Sequence, residues 1–123
     1  TLSHLEDAGY LLAVATGKSR RGLERALQST GLKALFHASR CADEAFSKPH
    51  PEMLEQIMDQ LGARPAQTLM IGDTEYDMQM AANAGARGLG VTFGVHPPER
   101  LLRNRALHCV DSLPEIPAWL QQV

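Results

Sequence analysis

Met70-Ile71-Gly72-Asp73-Thr74-Glu75-Tyr76-Asp77 is the stretch that decides the fold. The apolar run Thr68-Leu69-Met70-Ile71 leads into it and stops at a glycine; two carboxylates, Asp73 and Asp77, follow, and a helical pattern begins at once. A buried strand, a turn and a helix are the parts of a crossover unit. In an open parallel sheet, ligands sit outside the carboxyl ends of strands, where such turns lie. With Asp77 on the first helical turn, it and Asp73 can face one point, a hard-oxygen pocket suited to a divalent cation such as Mg²⁺. The ordinary alternative is structural. Asp73 or Thr74 caps the helix, and Asp77 sits in its first turn, favoured by the helix dipole.

The same grammar extends outward in both directions. Residues 10–15, Tyr-Leu-Leu-Ala-Val-Ala, form a continuous apolar run, as expected of a strand buried on both faces. Residues 2–8 before them read as a helix end that stops at Gly9. After Thr16-Gly17-Lys18-Ser19 a helix runs to about Thr30, with Leu23, Ala26 and Leu27 at helical spacing and Gly31 closing it. Residues 34–39 are a weaker strand candidate, and residues 41–48 a loop. Pro51 suits a first helical turn, and Met53, Leu54, Ile57, Met58 and Leu61 form an apolar stripe that ends at Gly62 and reads as core. Downstream, Tyr76, Met80, Ala81 and Ala84 mark a helix stopped by Gly85. Residues 87–92 and 107–110 read as strands, 97–104 as a short helix, and 113–120 as a closing helical turn or two with Trp119 packed inward. Strands alternating with helices of about ten residues predict right-handed crossovers and a parallel sheet covered on both faces, with Thr16, Lys48 and Asp73 at strand ends and Asp77 just behind.

Composition narrows the function classes. The 123 residues are 44% hydrophobic and 21% charged, ordinary for one globular domain and far from disordered composition. A net charge of −2 offers no basic surface for nucleic acid. No apolar run is long enough to span a bilayer and no signal peptide opens the chain. Two cysteines, Cys41 and Cys109, are too few for a disulfide framework, so both are read as reduced thiols in a cytoplasmic protein.

Two further places can carry chemistry. Thr16-Gly17 lies between a buried strand and a helix, where a hydroxyl and backbone N–H groups make an anion site; the alternative is an N-cap threonine. Lys48 sits in Ser47-Lys48-Pro49-His50-Pro51, where two prolines stiffen the segment. A fixed ammonium there can neutralise carboxylates and a phosphate, though a lysine is most often solvated. On that charge reading, loss of Lys48 should cost turnover and spare the fold. The block Arg20-Arg21 reads as a solvated helix face. His50 stands beside Lys48, and His4, His37, His96 and His108 have no zinc-ligand spacing.

Residues 11–19 (LLAVATGKS), 47–53 (SKPHPEM) and 69–80 (LMIGDTEYDMQM), in that order and spacing, resemble the haloacid dehalogenase-like (HAD) hydrolase superfamily, and its phosphoglycolate phosphatase-like branch most. The resemblance covers nearly the whole chain. It implies a three-layer, Rossmann-like α/β core with a parallel sheet. It also implies a Mg²⁺-dependent phosphatase working through an aspartyl-phosphate on a small phosphorylated metabolite such as phosphoglycolate. Thr16 with Gly17 would bind the transferring phosphoryl group, Lys48 would balance charge, Asp73 would ligate Mg²⁺, and Asp77 would support the metal directly or through water and hydrogen bonds.

One family motif, Asp-x-Asp-Gly-Thr/Ser, which supplies the nucleophile and an acid/base aspartate, is absent; no Asp-x-Asp occurs in the chain. The expectation is therefore the C-terminal part of a core domain, with the nucleophile, the central strand and a cap upstream. Such a part should be inactive alone, and its open sheet edges should associate with its own N-terminal part or another copy. Two other readings remain. A phospho-receiver module uses similar groups but orders them acids, hydroxyl, lysine; here the order is hydroxyl, lysine, acids. A non-catalytic remnant that binds a partner is the third.

Overall fold

The computed structural model describes residues 2–46, 48–92 and 97–121. His96 and the side chain of His4 lie outside the described residues, as does Ser47 of the lysine segment. The elements alternate as read: α1 (Leu2–Asp7), β1 (Ala13–Ala15), α2 (Arg20–Thr30), β2 (Ala38–Arg40), α3 (Glu52–Leu61), β3 (Leu69–Gly72), α4 (Glu75–Asn83), β4 (Arg87–Val91), α5 (Pro98–Arg103), β5 (Ala106–Val110) and α6 (Glu115–Leu120). Every strand pairing is parallel, in two sheets ordered β1-β2 and β3-β4-β5. The protein is an α/β fold with an incomplete parallel sheet.

Local chemistry explains the helix limits. Ser19 caps α2 by accepting the N–H of Gly22 at 3.1 Å. Gly31 and Gly62 end α2 and α3 in the left-handed conformation, φ +70° and +68°, which glycine adopts without a Cβ penalty. The stripe of α3 is core: Met53, Leu54, Ile57 and Met58 are buried.

Packing joins the two sheets through shared helical layers. Met53, Leu54 and Met58 of α3 meet Met80 and Ala81 of α4 and Met70 of β3 in one cluster, and Ala15 of β1 packs against it. On another side, Leu5, Leu89, Val91, Val110 and Ile116 cluster, with Leu12, Leu69 and Trp119 against them. Leu69 and Met70 enter different clusters because successive strand residues point to opposite faces. β1 and β3 thus stand over the same helices, yet they share no ladder, and among the described residues each is the last strand of its sheet.

Three details differ from the sequence reading. The apolar run at 10–15 forms strand only over Ala13–Ala15, and Tyr10 and Leu11 are 45% and 54% exposed. A strand with one paired edge cannot bury such a run on all sides. The weak strand at 34–39 is a 3₁₀ turn, Lys33–Leu35, followed by β2 at Ala38–Arg40. Tyr76, read as part of the α4 stripe, is exposed, while Met78 is buried in its stead.

Candidate active site at the strand tips

Gly72 is buried at the end of β3 because nothing larger fits: a Cβ there would overlap the Cβ and carboxylate of Asp77. That close approach lets α4 start directly over the strand tip. Thr74 is its N-cap, accepting the N–H of Asp77 at 3.2 Å, while Asp77 Oδ2 accepts from Thr74 N–H at 3.2 Å and from the Thr74 hydroxyl at 3.0 Å. This reciprocal capping box satisfies orphan donors of the first turn. The structural alternative weighed for Asp77 is therefore real.

It does not exhaust Asp77, whose side chain is 5% exposed. Its second oxygen, Oδ1, is buried and makes no hydrogen bond among the described residues. Lys48 Nζ lies 2.6 Å from it, close enough for an ion pair although the alignment is not that of a hydrogen bond. The geometry brings Lys48 to Asp77 across 29 residues of chain. It also revises the expectation that Lys48 is dispensable for folding, because a buried carboxylate depends on it. Lys48 stands in the loop between β2 and α3, not at a strand end, and the Lys48–Pro49 peptide is cis. The Pro49 carbonyl accepts from Asn83 Nδ2 at 3.1 Å, which ties this loop to α4.

Asp73 follows β3 directly and is half-buried, beside Thr74. Thr16 follows β1 directly, and its hydroxyl accepts the N–H of Lys18 at 3.1 Å. Since Ser19 caps α2, the N-cap explanation for Thr16 falls away. Gly17 is exposed, and a Cβ on it would meet nothing within 4 Å. Ala15 and Met70 share one core cluster, so Thr16 and Asp73 leave the same part of the core. Direct contact joins Lys48 to Asp77; Thr16 and Gly17 stand on the neighbouring loop.

The donor set fits a hard divalent cation in part. Asp73 and Asp77 offer carboxylate oxygens, and Asp77 Oδ1 is a buried oxygen that makes no hydrogen bond among the described residues but faces Lys48 Nζ at 2.6 Å. Mg²⁺ asks for six oxygens, several of them water, so two acids account for a minority of its ligands. Elsewhere, Cys41, Asp43 and Glu44 bring one donor atom each within 4.8 Å of one another. Their bonds serve another purpose. Glu44 accepts from Arg20 and from the Cys41 N–H, and Asp43 accepts the Arg20 N–H.

Sequence reasoning missed two ion pairs near the site. Arg20, read as solvated, donates through Nε and Nη2 to both oxygens of Glu44, at 3.1 and 2.6 Å. The hydrogen bond from Arg20 holds the Glu44 carboxyl below its ordinary range, and the same bond raises Arg20. Arg100 likewise grips both oxygens of Glu75, at 3.1 and 2.6 Å, clamping α5 to the first turn of α4. Both pairs join residues more than twenty apart and have no periodic signature. Burial pushes the Cys41 thiol up, as befits an inert core cysteine. A cleft of about 320 Å³ runs along the outer edge of β2, between Arg20, Phe36 and Arg40, away from Lys48 and Asp73.

The chain is similar to known proteins. The chain is 40% identical over 116 residues to "Probable phosphatase IndB" of Dickeya dadantii, covering 94% of this chain and 50% of that protein. It is 32% identical over 106 residues to "Pyrophosphatase PpaX" of Bacillus pumilus, covering 85% and 49%. The chain thus spans about half the length of these relatives. Among solved structures, a predicted phosphatase from Clostridium acetobutylicum superposes with a TM-score of 0.89 at 29% identity, covering 99% of this chain and 57% of that one. A predicted phosphoglycolate phosphatase from Haemophilus somnus gives 0.89 at 27%, covering 98% and 54%. The family described as haloacid dehalogenase-like hydrolase matches residues 1–91, a span that holds Thr16, Lys48, Asp73 and Asp77 in their observed order, and the chain belongs to that family.

Proposed function

We propose that this chain forms the phosphate- and metal-binding half of a Mg²⁺-dependent phosphomonoesterase. The observation that carries the reading is the Lys48–Asp77 pair, 2.6 Å apart and largely buried. A cation held against a buried acid on the turn that follows a strand is an arrangement for binding another anion, because its charge is positioned rather than solvated. In this reading Thr16, Gly17 and Lys48 bind the transferring phosphoryl group. The Thr16 hydroxyl and the Gly17 backbone orient its oxygens, and Lys48 offsets the charge that builds on them. Asp73 and Asp77 would hold Mg²⁺, which supplies Lewis-acid stabilisation of the phosphoryl oxygens when bound.

No residue of the 123 is assigned as the nucleophile. The reaction we propose, through an aspartyl-phosphate that water then hydrolyses, draws that carboxylate from sequence outside this chain. The 123 residues alone should then hydrolyse phosphate esters at background. The second edges of β1 and β3 would take up the protein's own N-terminal part, or failing that another copy. The substrate is proposed as a small phosphorylated metabolite such as phosphoglycolate, with neither nucleic acid nor membrane as partner. Two cysteines outside any disulfide fit the reducing cytoplasm. The test is to assay the full-length protein on a generic aryl phosphate with and without Mg²⁺. Turnover that chelator abolishes and Mg²⁺ restores is expected; turnover indifferent to the metal would refute the reading.

A further inference from the structure

Arg20, the first residue of α2, spans the gap between the loop that carries Thr16 and the loop that leads to Lys48. Its backbone N–H donates to the Asp43 carboxylate at 3.1 Å. Its guanidinium reaches four places at once: both oxygens of Glu44, the Ser39 hydroxyl at 2.8 Å, the Ser39 carbonyl at 3.2 Å and Glu24 Oε1 at 3.4 Å. Two backbone bonds lie alongside, from Ala42 N–H to the Lys18 carbonyl at 2.9 Å and from Thr16 N–H to the Arg40 carbonyl at 3.1 Å. Glu44 also accepts the Cys41 N–H at 2.9 Å, so the turn after β2 is built around the carboxylate that Arg20 grips. Four residues later comes Lys48, whose ammonium rests on Asp77. The loop is therefore held at one end by Arg20 and at the other by Asp77.

We propose that Arg20, acting through Glu44 and Asp43, is a positioning residue that sets where Lys48 stands relative to Thr16 and Gly17. This rests on the phosphatase reading, in which those groups share one phosphoryl. Two groups on the same phosphoryl must keep their separation to a fraction of an ångström, and a misplacement of about 1 Å can cost on the order of a hundredfold in rate. Arginine suits the task because its planar fork makes several directed bonds from one rigid group. Lysine carries the charge but cannot hold Glu44 and Ser39 together in that geometry.

The test uses the full-length protein with Arg20→Lys and Glu44→Gln, at a temperature where circular dichroism shows each folded. Three quantities are read on an aryl phosphate: kcat/KM, the inhibition constant of inorganic phosphate, and the half-saturating Mg²⁺ concentration. Arg20→Lys should lower kcat/KM about tenfold and weaken inhibition by phosphate in step, a tenth of the hundredfold above because the loop keeps its other tethers. The Mg²⁺ half-saturation should stay put, since Asp73 stands just after β3 and Asp77 in α4, outside the loop that Arg20 holds. Glu44→Gln should move the same two quantities, and the double variant should be no worse than Arg20→Lys, as expected of partners in one bond. If Arg20→Lys does not fold, Glu44→Gln carries the comparison alone. Unchanged kcat/KM and phosphate inhibition beside a lowered melting temperature would overturn the proposal, and so would a Mg²⁺ shift as large as the phosphate shift. A wild type inactive on every phosphate ester would instead refute the phosphatase reading, and the positioning role would fall with it.

Discussion

Gly72→Ala is the substitution whose cost the structure fixes best. The new Cβ would overlap the Cβ and carboxylate of Asp77, a side chain that cannot swing aside freely because Thr74 holds one oxygen and Lys48 faces the other. Overpacking a filled site costs about 1–3 kcal/mol. Displacing Asp77 also breaks the capping box of α4, worth about 1 kcal/mol. We expect a loss of about 2–4 kcal/mol, which for a domain of this size lowers the melting temperature by roughly 10 °C. Gly17→Ala is the internal control: its Cβ would meet nothing within 4 Å, so its stability should stay within about 0.5 kcal/mol of wild type. Urea and thermal unfolding of the two variants, side by side, measure the difference. Equal stability of Gly72→Ala and wild type would refute the claim that the β3–α4 turn is built on this close approach.

Lys48→Met should destabilise the fold by roughly 2 kcal/mol, less than the 3–5 kcal/mol of a fully buried pair because Lys48 is 22% exposed. Adding Asp77→Asn should recover part of that loss, and strictly additive effects in the double variant would contradict the pairing. The bond from Arg20 holds the folded-state Glu44 carboxyl low, so its contribution to stability is present above the ordinary carboxyl range and fades as pH falls through the folded-state value. The penalty of Arg20→Ala, read from urea midpoints, should therefore shrink on acidification; a penalty that persists unchanged into acid would count against that bond.

The sequence displayed its fold where local and long-range signals coincide. Gly72 ends an apolar run, Thr74 and Asp77 begin a helix, and the crossover follows from those few residues. Element edges were less legible. Residues 10–12 carry strand-like side chains but remain outside the ladder, since pairing, not hydropathy, sets where β1 begins. Asp73, Asp77, Lys48 and Thr16 were proposed from motif order, because Thr16 and Asp73 directly follow strands, Asp77 opens a helix and Lys48 precedes a proline-stiffened turn. What could not be read was which groups touch. That Asp77 both caps α4 and faces Lys48 is a property of the folded turn. Arg20 resembled any arginine on a helix face, and its partner Glu44 lies 24 residues away, beyond any helical or strand period.

The central claim is that Asp73 serves a metal in a phosphatase, and the Mg²⁺ dependence of aryl phosphate hydrolysis tests it most directly. The measurement compares full-length wild type with Asp73→Asn, a change that keeps the size of the side chain and removes a charged oxygen ligand. A half-saturating Mg²⁺ concentration raised at least tenfold is expected, with turnover cut by a hundredfold or so, about 3 kcal/mol of lost stabilisation. Superimposable Mg²⁺ titrations at equal turnover would contradict it.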